Sequence, residues 1–124
     1  MDFQETFTQH LKAIRERDLE ALQATLPDGD RQIVAITVEG QLVRTNEEYL
    51  EMHREWFESD SWSISGEAIF VQESGDLAVA SLKLDYFDQP ADQPRTHDVT
   101  YATLVFERQE KGWVLILEQN TPAQ

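Results

Sequence analysis

The chain has 124 residues, and its 24 acidic side chains against 10 basic ones give a formal net charge of −14. A surface this acidic repels phosphate backbones and anionic lipid, so nucleic acid and membrane surfaces are disfavoured as partners. The absence of cysteine excludes disulfides, thiolate catalysis and Cys-ligated metals.

The length suits one domain, residues 1–124, with a single core. No stretch approaches a membrane span, and M-D-F-Q-E-T-F lacks the basic and apolar regions of a secretory signal, so a cytoplasmic location is expected. The charge excess reads first as a solvated surface and second as a docking face for a basic partner.

Residues 2 to about 26 read as helix. Phe3, Phe7, Leu11 and Ile14 fall on one stripe, R-E-R-D interrupts it, and Leu19, Leu22 and Leu26 form a second stripe. Asp18 is placed to cap the second helix, and P-D-G-D at 27–30 ends it. The run R-Q-I-V-A-I-T-V, 31–38, is β-branched, and E-G-Q turns it into a short L-V-R strand. Thr45 and Glu48 have capping-box spacing. They open a helix to about Ser59 with Tyr49, Leu50, His53, Trp56 and Phe57 on one side. Four long strands follow at 62–72, 77–88, 96–108 and 113–120. E-S-G-D and Q-E-K-G join them tightly, and Q-P-A-D-Q-P-R at 89–95 makes a longer loop. This order describes an α+β fold, one antiparallel sheet with helices on one face.

Such a sheet should alternate, apolar toward the helices and polar toward water. These strands do not. Ala78, Ala80, Leu82 and Leu84 are apolar, but so are Leu77 and Val79 between them. Ala102, Leu104 and Phe106 alternate with Tyr101 and Val105, and W-V-L-I-L, 113–117, is apolar at both parities. Something must cover the second face. A second copy packed sheet to sheet as a two-fold dimer is the expectation, and a sheet curled enough to cover itself is the alternative.

Helix pair, strand pair, helix and four strands ending in Trp and aliphatics resemble the nuclear transport factor 2-like superfamily. Within it the chain is most similar to the SnoaL-like and ketosteroid-isomerase-like proteins. R-D-L-E-A-L at 17–22 stands where that family often has Gly-Asp-Leu-x-Ala-Leu. R-T-N-E-E-Y-L at 44–50 sits where a Gly-x-x-x-Ile/Leu helix start is usual, and G-W-V-L-I-L-E-Q-N-T at 112–121 where many members have Trp, aliphatics, a polar cluster and Ser or Thr. The resemblance implies a cone-shaped, curved sheet, antiparallel or mixed, with the N-terminal helices on its concave face. It also implies a ligand pocket between helices and sheet, and a homodimer through the outer sheet face. An isomerase of this family needs a carboxylate base and an oxyanion hole. Here the oxyanion tyrosine position falls at His10, the base position near Ile36, and the second acid around Thr103 and Leu104. Steroid isomerisation by that mechanism is therefore not expected.

His10 lies on or beside the first apolar stripe, and His53 shares a helix face with Trp56. Each is a candidate proton carrier or a packed histidine with one hydrogen bond. Glu118 and Asn120 share a parity on the last strand. They form an acid/base and an orienting donor if they face a cavity, or a polar strand end if they reach water. The candidates are thus His10, His53 and Glu118 for catalysis and Trp56, Tyr86, Tyr101 and Asn120 for ligand binding. His97 reads as a cavity-mouth or exposed residue. No H-E-x-x-H or comparable spacing suggests a metal, and no cofactor is expected. Three functions remain open: proton-transfer chemistry on a hydrophobic organic molecule, a non-catalytic ligand-binding or scaffold domain, and a subunit docking a basic partner on its acidic exterior.

Overall fold

The computed structural model describes all 124 residues. Helix α1 (Phe3–Glu16) is opened by a capping box, with Asp2 accepting from Glu5 N and Glu5 accepting from Asp2 N. It ends at Arg17, whose backbone is left-handed at φ 57°. Asp18 caps α2 (Leu19–Gln23) through Ala21 N, as the sequence suggests. The second helix is shorter than its leucine stripe, because Thr25 and Leu26 leave the helix in tight turns onto Leu22 and Gln23. Thr45 caps α3 (Asn46–Phe57) by accepting from Glu48 N.

Strands β1 (Val34–Ile36) and β2 (Leu42–Val43) form a short hairpin. The long strands are β3 (Trp62–Ser74), β4 (Leu77–Asp88), β5 (Thr96–Gln109) and β6 (Gly112–Pro122). The sheet order is β2-β1-β6-β5-β4-β3. All neighbours are antiparallel except β1 and β6, which run parallel with Ala35 opposite Glu118. The fold is therefore α+β with a mixed, curved, unclosed sheet. Its register slips between Ala68 and Phe70 and again at Val105/Phe106, and such bulges bend a strand toward one face.

Three hydrogen bonds tie the helical layer to the start of β6: Trp113 N to Met1 O, Leu115 N to Thr25 O, and Thr6 Oγ1 to Trp113 O. Beneath them Phe3, Phe7, Phe106 and Trp113 pack edge to face or tilted, centroids 5.3–5.9 Å apart for the Phe3–Phe106, Phe3–Trp113 and Phe7–Phe106 pairs. Ala78, Ala80, Leu82, Ala102, Leu104 and Phe106 are buried on the concave face. On the other parity Leu77 is 48% exposed, Tyr101 46% and Leu117 38%. The outer face is thus apolar and open in the single chain, and the sheet does not curl to cover it.

The aromatic end of the molecule is held by Arg17. Its guanidinium lies 3.9 Å from the centre of the Trp62 ring and donates to the carbonyls of Ser59 and Trp62. The turn between α3 and β3 is thereby fixed, and with it the stack of Trp62 on Trp56, centroids 4.1 Å apart at 17°.

Candidate functional site

A cavity of about 1110 Å³ opens between α1, α3 and the concave face, with His10, His53, Trp56, Tyr86, Glu118 and Asn120 in its wall. Periodicity explains the convergence. The α1 stripe that buries Phe3 and Phe7 carries His10 inward, and the α3 stripe carries Tyr49 and His53 one turn apart. Glu118 and Asn120 share a face of β6, and Ala102 and Leu104 lie beside them in register on β5.

At the floor of the cavity these side chains form one network. The Tyr49 hydroxyl donates to Glu118 Oε1 at 2.7 Å. Asn120 Nδ2 donates to Glu118 Oε2 and to the Ile36 carbonyl, both at 2.9 Å. His10 Nδ1 lies 3.1 Å from Thr25 Oγ1. Thr25 donates its own proton to the Leu22 carbonyl at 2.7 Å, so the ring nitrogen is the donor in that pair. His10 Nε2 then faces two oxygens, Tyr49 Oη at 3.5 Å and Glu118 Oε1 at 3.8 Å.

Burial alone would raise the Glu118 carboxyl. The neighbouring His10, the Asn120 amide and, to a smaller extent, His53 outweigh it and bring the carboxyl down from 4.5 to about 2. His10 Nε2 stands 3.8 Å from the carboxylate. Tyr49 moves the other way. Burial, then the charge of Glu118 and the hydrogen bond to it, push its hydroxyl well above the ordinary value. Glu118 is thus an ionised anchor, and Tyr49 keeps its proton.

His53 stands apart from this network. Its Nδ1 lies 2.7 Å from the Tyr49 carbonyl, which can only accept, so Nδ1 carries the proton and Nε2 the lone pair. Burial lowers the ring's proton affinity, against opposing pushes from Glu118 and the carbonyl bond. No partner in the protein meets Nε2, yet no buried side-chain nitrogen or oxygen is left unsatisfied. The atom is therefore open to the cavity: a neutral imidazole with a fixed tautomer and a free lone pair.

Trp56 sits between His53 and Tyr86, ring centroids 5.9 and 6.0 Å away. Its indole N–H donates to Tyr86 Oη at 3.4 Å, and no protein acceptor takes the Tyr86 proton. The structure thus brings together His10, His53, Glu118, Trp56, Tyr86 and Asn120. Tyr101 and His97 line the same cavity without joining that group. Tyr101 pairs in register with Lys83 and Thr121, on the parity opposite buried Ala102 and Leu104 and beside exposed Leu117. His97 lies outside the cluster too, stacked on Phe87 at 4.3 Å and paired with Asp85 at 2.8 Å. Tyr49 and Thr25 complete the network without having been singled out as site residues. For Tyr49 the signal was available, four residues before His53 on one helix face. No group of three or more histidines, aspartates or glutamates converges as a metal would need, and no helix is long and apolar enough to cross a membrane.

The family model described as SnoaL-like domain matches residues 4–120. No curated protein matches the sequence. Among solved structures, a protein described as a calcium/calmodulin-dependent protein kinase type II association domain from Thiobacillus denitrificans is similar at TM-score 0.82 and 15% identity. The match covers 99% of this chain and 96% of that one. A protein described as a dehydratase of the NTF2-like family from Streptomyces avermitilis gives 0.80 and 17%, over 96% and 91% of the two chains. One described as a ketosteroid isomerase from Shewanella frigidimarina gives 0.76 and 16%, over 94% and 92%. These identities speak to fold and leave the chemistry to the site.

Proposed function

Because the chain belongs to the SnoaL-like domain family, we propose that it binds a small hydrophobic organic molecule in the α1–α3 cavity and moves a proton on it without a cofactor. One observation carries this reading: His53 Nε2 is an uncommitted base on an apolar wall, its tautomer fixed by the Tyr49 carbonyl. A lone pair with a fixed tautomer that faces a cavity is placed to accept a proton from what occupies it. His53 is the base. Glu118, held by Tyr49, His10 and Asn120, supplies the fixed negative charge that favours the protonated ring once His53 has taken a proton. Trp56 and Tyr86 hold the ligand beside it. Glu118 itself, at about 2, is too weak a base for the role its position first suggests.

The test is a thermal-shift screen against aromatic and carbonyl compounds, followed by deuterium exchange of the most acidic carbon-bound proton of any ligand found. Binding raises Tm by mass action, and the protein accelerates the exchange. His53→Ala lowers that acceleration by roughly 10²-fold or more, while Tyr101→Ala leaves it unchanged. Binding with no accelerated exchange would leave a carrier rather than an enzyme.

A second reading concerns assembly. Phe70, Leu77, Tyr101 and Leu117 form an exposed apolar outer face, the kind of surface that marks an interaction site. A second copy packed on this face covers it as a two-fold dimer. Light scattering then returns twice the 14.3 kDa chain mass, and Leu77→Glu with Leu117→Glu returns the single chain. The two readings are compatible, since the cavity lies on the opposite face.

A further inference from the structure

Resting on the reading of the cavity as a ligand site, the geometry points to its ligand class: a neutral, flat aromatic or conjugated molecule with a hydroxyl that donates to His53 Nε2, organic anions being turned away. His53 contributes one lone pair, since its N–H is spent on the Tyr49 carbonyl. Tyr86 contributes one O–H, since its oxygen already receives the Trp56 indole. A hydroxyl suits either partner, since it donates to an imidazole and accepts from a phenol. These two atoms flank Trp56, whose ring stacks on Trp62 on one side and whose remaining surface lines the cavity. A flat ring against that indole gains area without side-chain disorder to freeze out.

The charges inside the wall exclude the anionic counterpart. The cavity's carboxylates, Glu39, Asp98 and Glu118, are met by two cationic side chains, Arg15 and Lys83. Arg15 is exposed at the rim. Lys83 stands opposite Tyr101 in register, on the outward parity. His10 is engaged with Thr25 and turned toward Tyr49 and Glu118. His53 presents a lone pair. A ligand carboxylate reaching the inner wall would meet a fixed negative charge and an acceptor, with no uncommitted cation to pair it.

Three probes of one shape test this: 4-phenylphenol, its methyl ether, and 4-phenylbenzoate. At pH 7 the phenol is neutral and the benzoate an anion. Binding is read by quenching of tryptophan fluorescence and confirmed by calorimetry on the intact protein. The phenol binds about 3- to 10-fold tighter than the ether, the worth of one neutral hydrogen bond, and at least about 10-fold tighter than the benzoate. His53→Phe abolishes the preference of phenol over ether while keeping the ether's affinity. Tyr86→Phe, a smaller change that spares the fold, reduces the preference in part. Equal binding of phenol and ether, or a preference for the benzoate, overturns the assignment and leaves the ligand cavity standing. If none of the three binds, the ligand-cavity reading fails together with it.

Discussion

The Tyr49 hydroxyl donates to Glu118 Oε1 across 2.7 Å, joining the middle helix to the last strand at the floor of the cavity. Without that proton, a largely buried carboxylate and the inward nitrogen of His10 lose their shared neighbour. Tyr49→Phe should lower stability by about 1–3 kcal/mol, the cost of leaving a charged acceptor short of one hydrogen bond. Urea unfolding at pH 7 measures it. A midpoint unchanged from wild type would mean the contact contributes nothing to folding.

Acid should weaken the fold in two windows. His53 is lowered in the native state from 6.5. As pH falls below that value the unfolded chain takes up a proton before the folded one does, and stability begins to drop. Glu118 lies at about 2 rather than 4.5. Its contribution is fully present above 4.5 and is lost as pH falls from there toward 2. The Glu118 shift corresponds to an upper bound of about 3 kcal/mol. His53→Phe should flatten the upper window and Glu118→Gln the lower one, in urea midpoints collected from pH 8 to pH 3.

Arg17 occupies a left-handed backbone, φ 57°, at the place where the family often carries glycine. It holds that conformation at some cost, offset by its cation–π contact with Trp62 and its bonds to Ser59 and Trp62. Arg17→Ala removes the contacts and keeps the strain, for a loss of about 2 kcal/mol. Arg17→Gly removes both and should recover roughly 1 kcal/mol of it. Thermal melts of the pair check the order, and alanine equal to glycine would contradict it.

Asn46 fastens the chain before β1. Its side chain accepts from Ile33 N at 3.0 Å and donates to Pro27 O at 2.8 Å. Asn46→Ala should cost about 2 kcal/mol and, more tellingly, lower hydrogen-exchange protection at Ile33 while β4 and β5 keep theirs.

Most of the fold was legible because its signals are local. The stripes of α1 and α3, the caps at Asp18 and Thr45, and the turns between the long strands depend on spacing and backbone chemistry alone. The doubled apolar pattern of β4 to β6 also pointed to a sheet with two hydrophobic faces, and the open face bearing Leu77, Tyr101 and Leu117 agrees with it. The site was legible in part. His10, His53, Glu118 and Asn120 stand out as polar groups on apolar faces. That Glu118 is anchored while His53 is free was not readable, because it depends on Thr25 and Tyr49, which meet His10 from two other elements. Tyr101 shows the opposite difficulty. An aromatic ring suits a pocket and an outer sheet face equally, and Tyr101 belongs to both, on the outward parity yet in the cavity's lining.

The most direct test of the whole account is long-range ¹H–¹⁵N NMR of the histidine rings, taken through a pH titration and repeated with 4-phenylphenol. The account requires His53 to be neutral at pH 7 with its proton on Nδ1, to protonate below the ordinary histidine range, and to shift at Nε2 when the phenol is added. A His53 that is charged at pH 7, or whose Nε2 resonance ignores the phenol at saturating concentration, would contradict it.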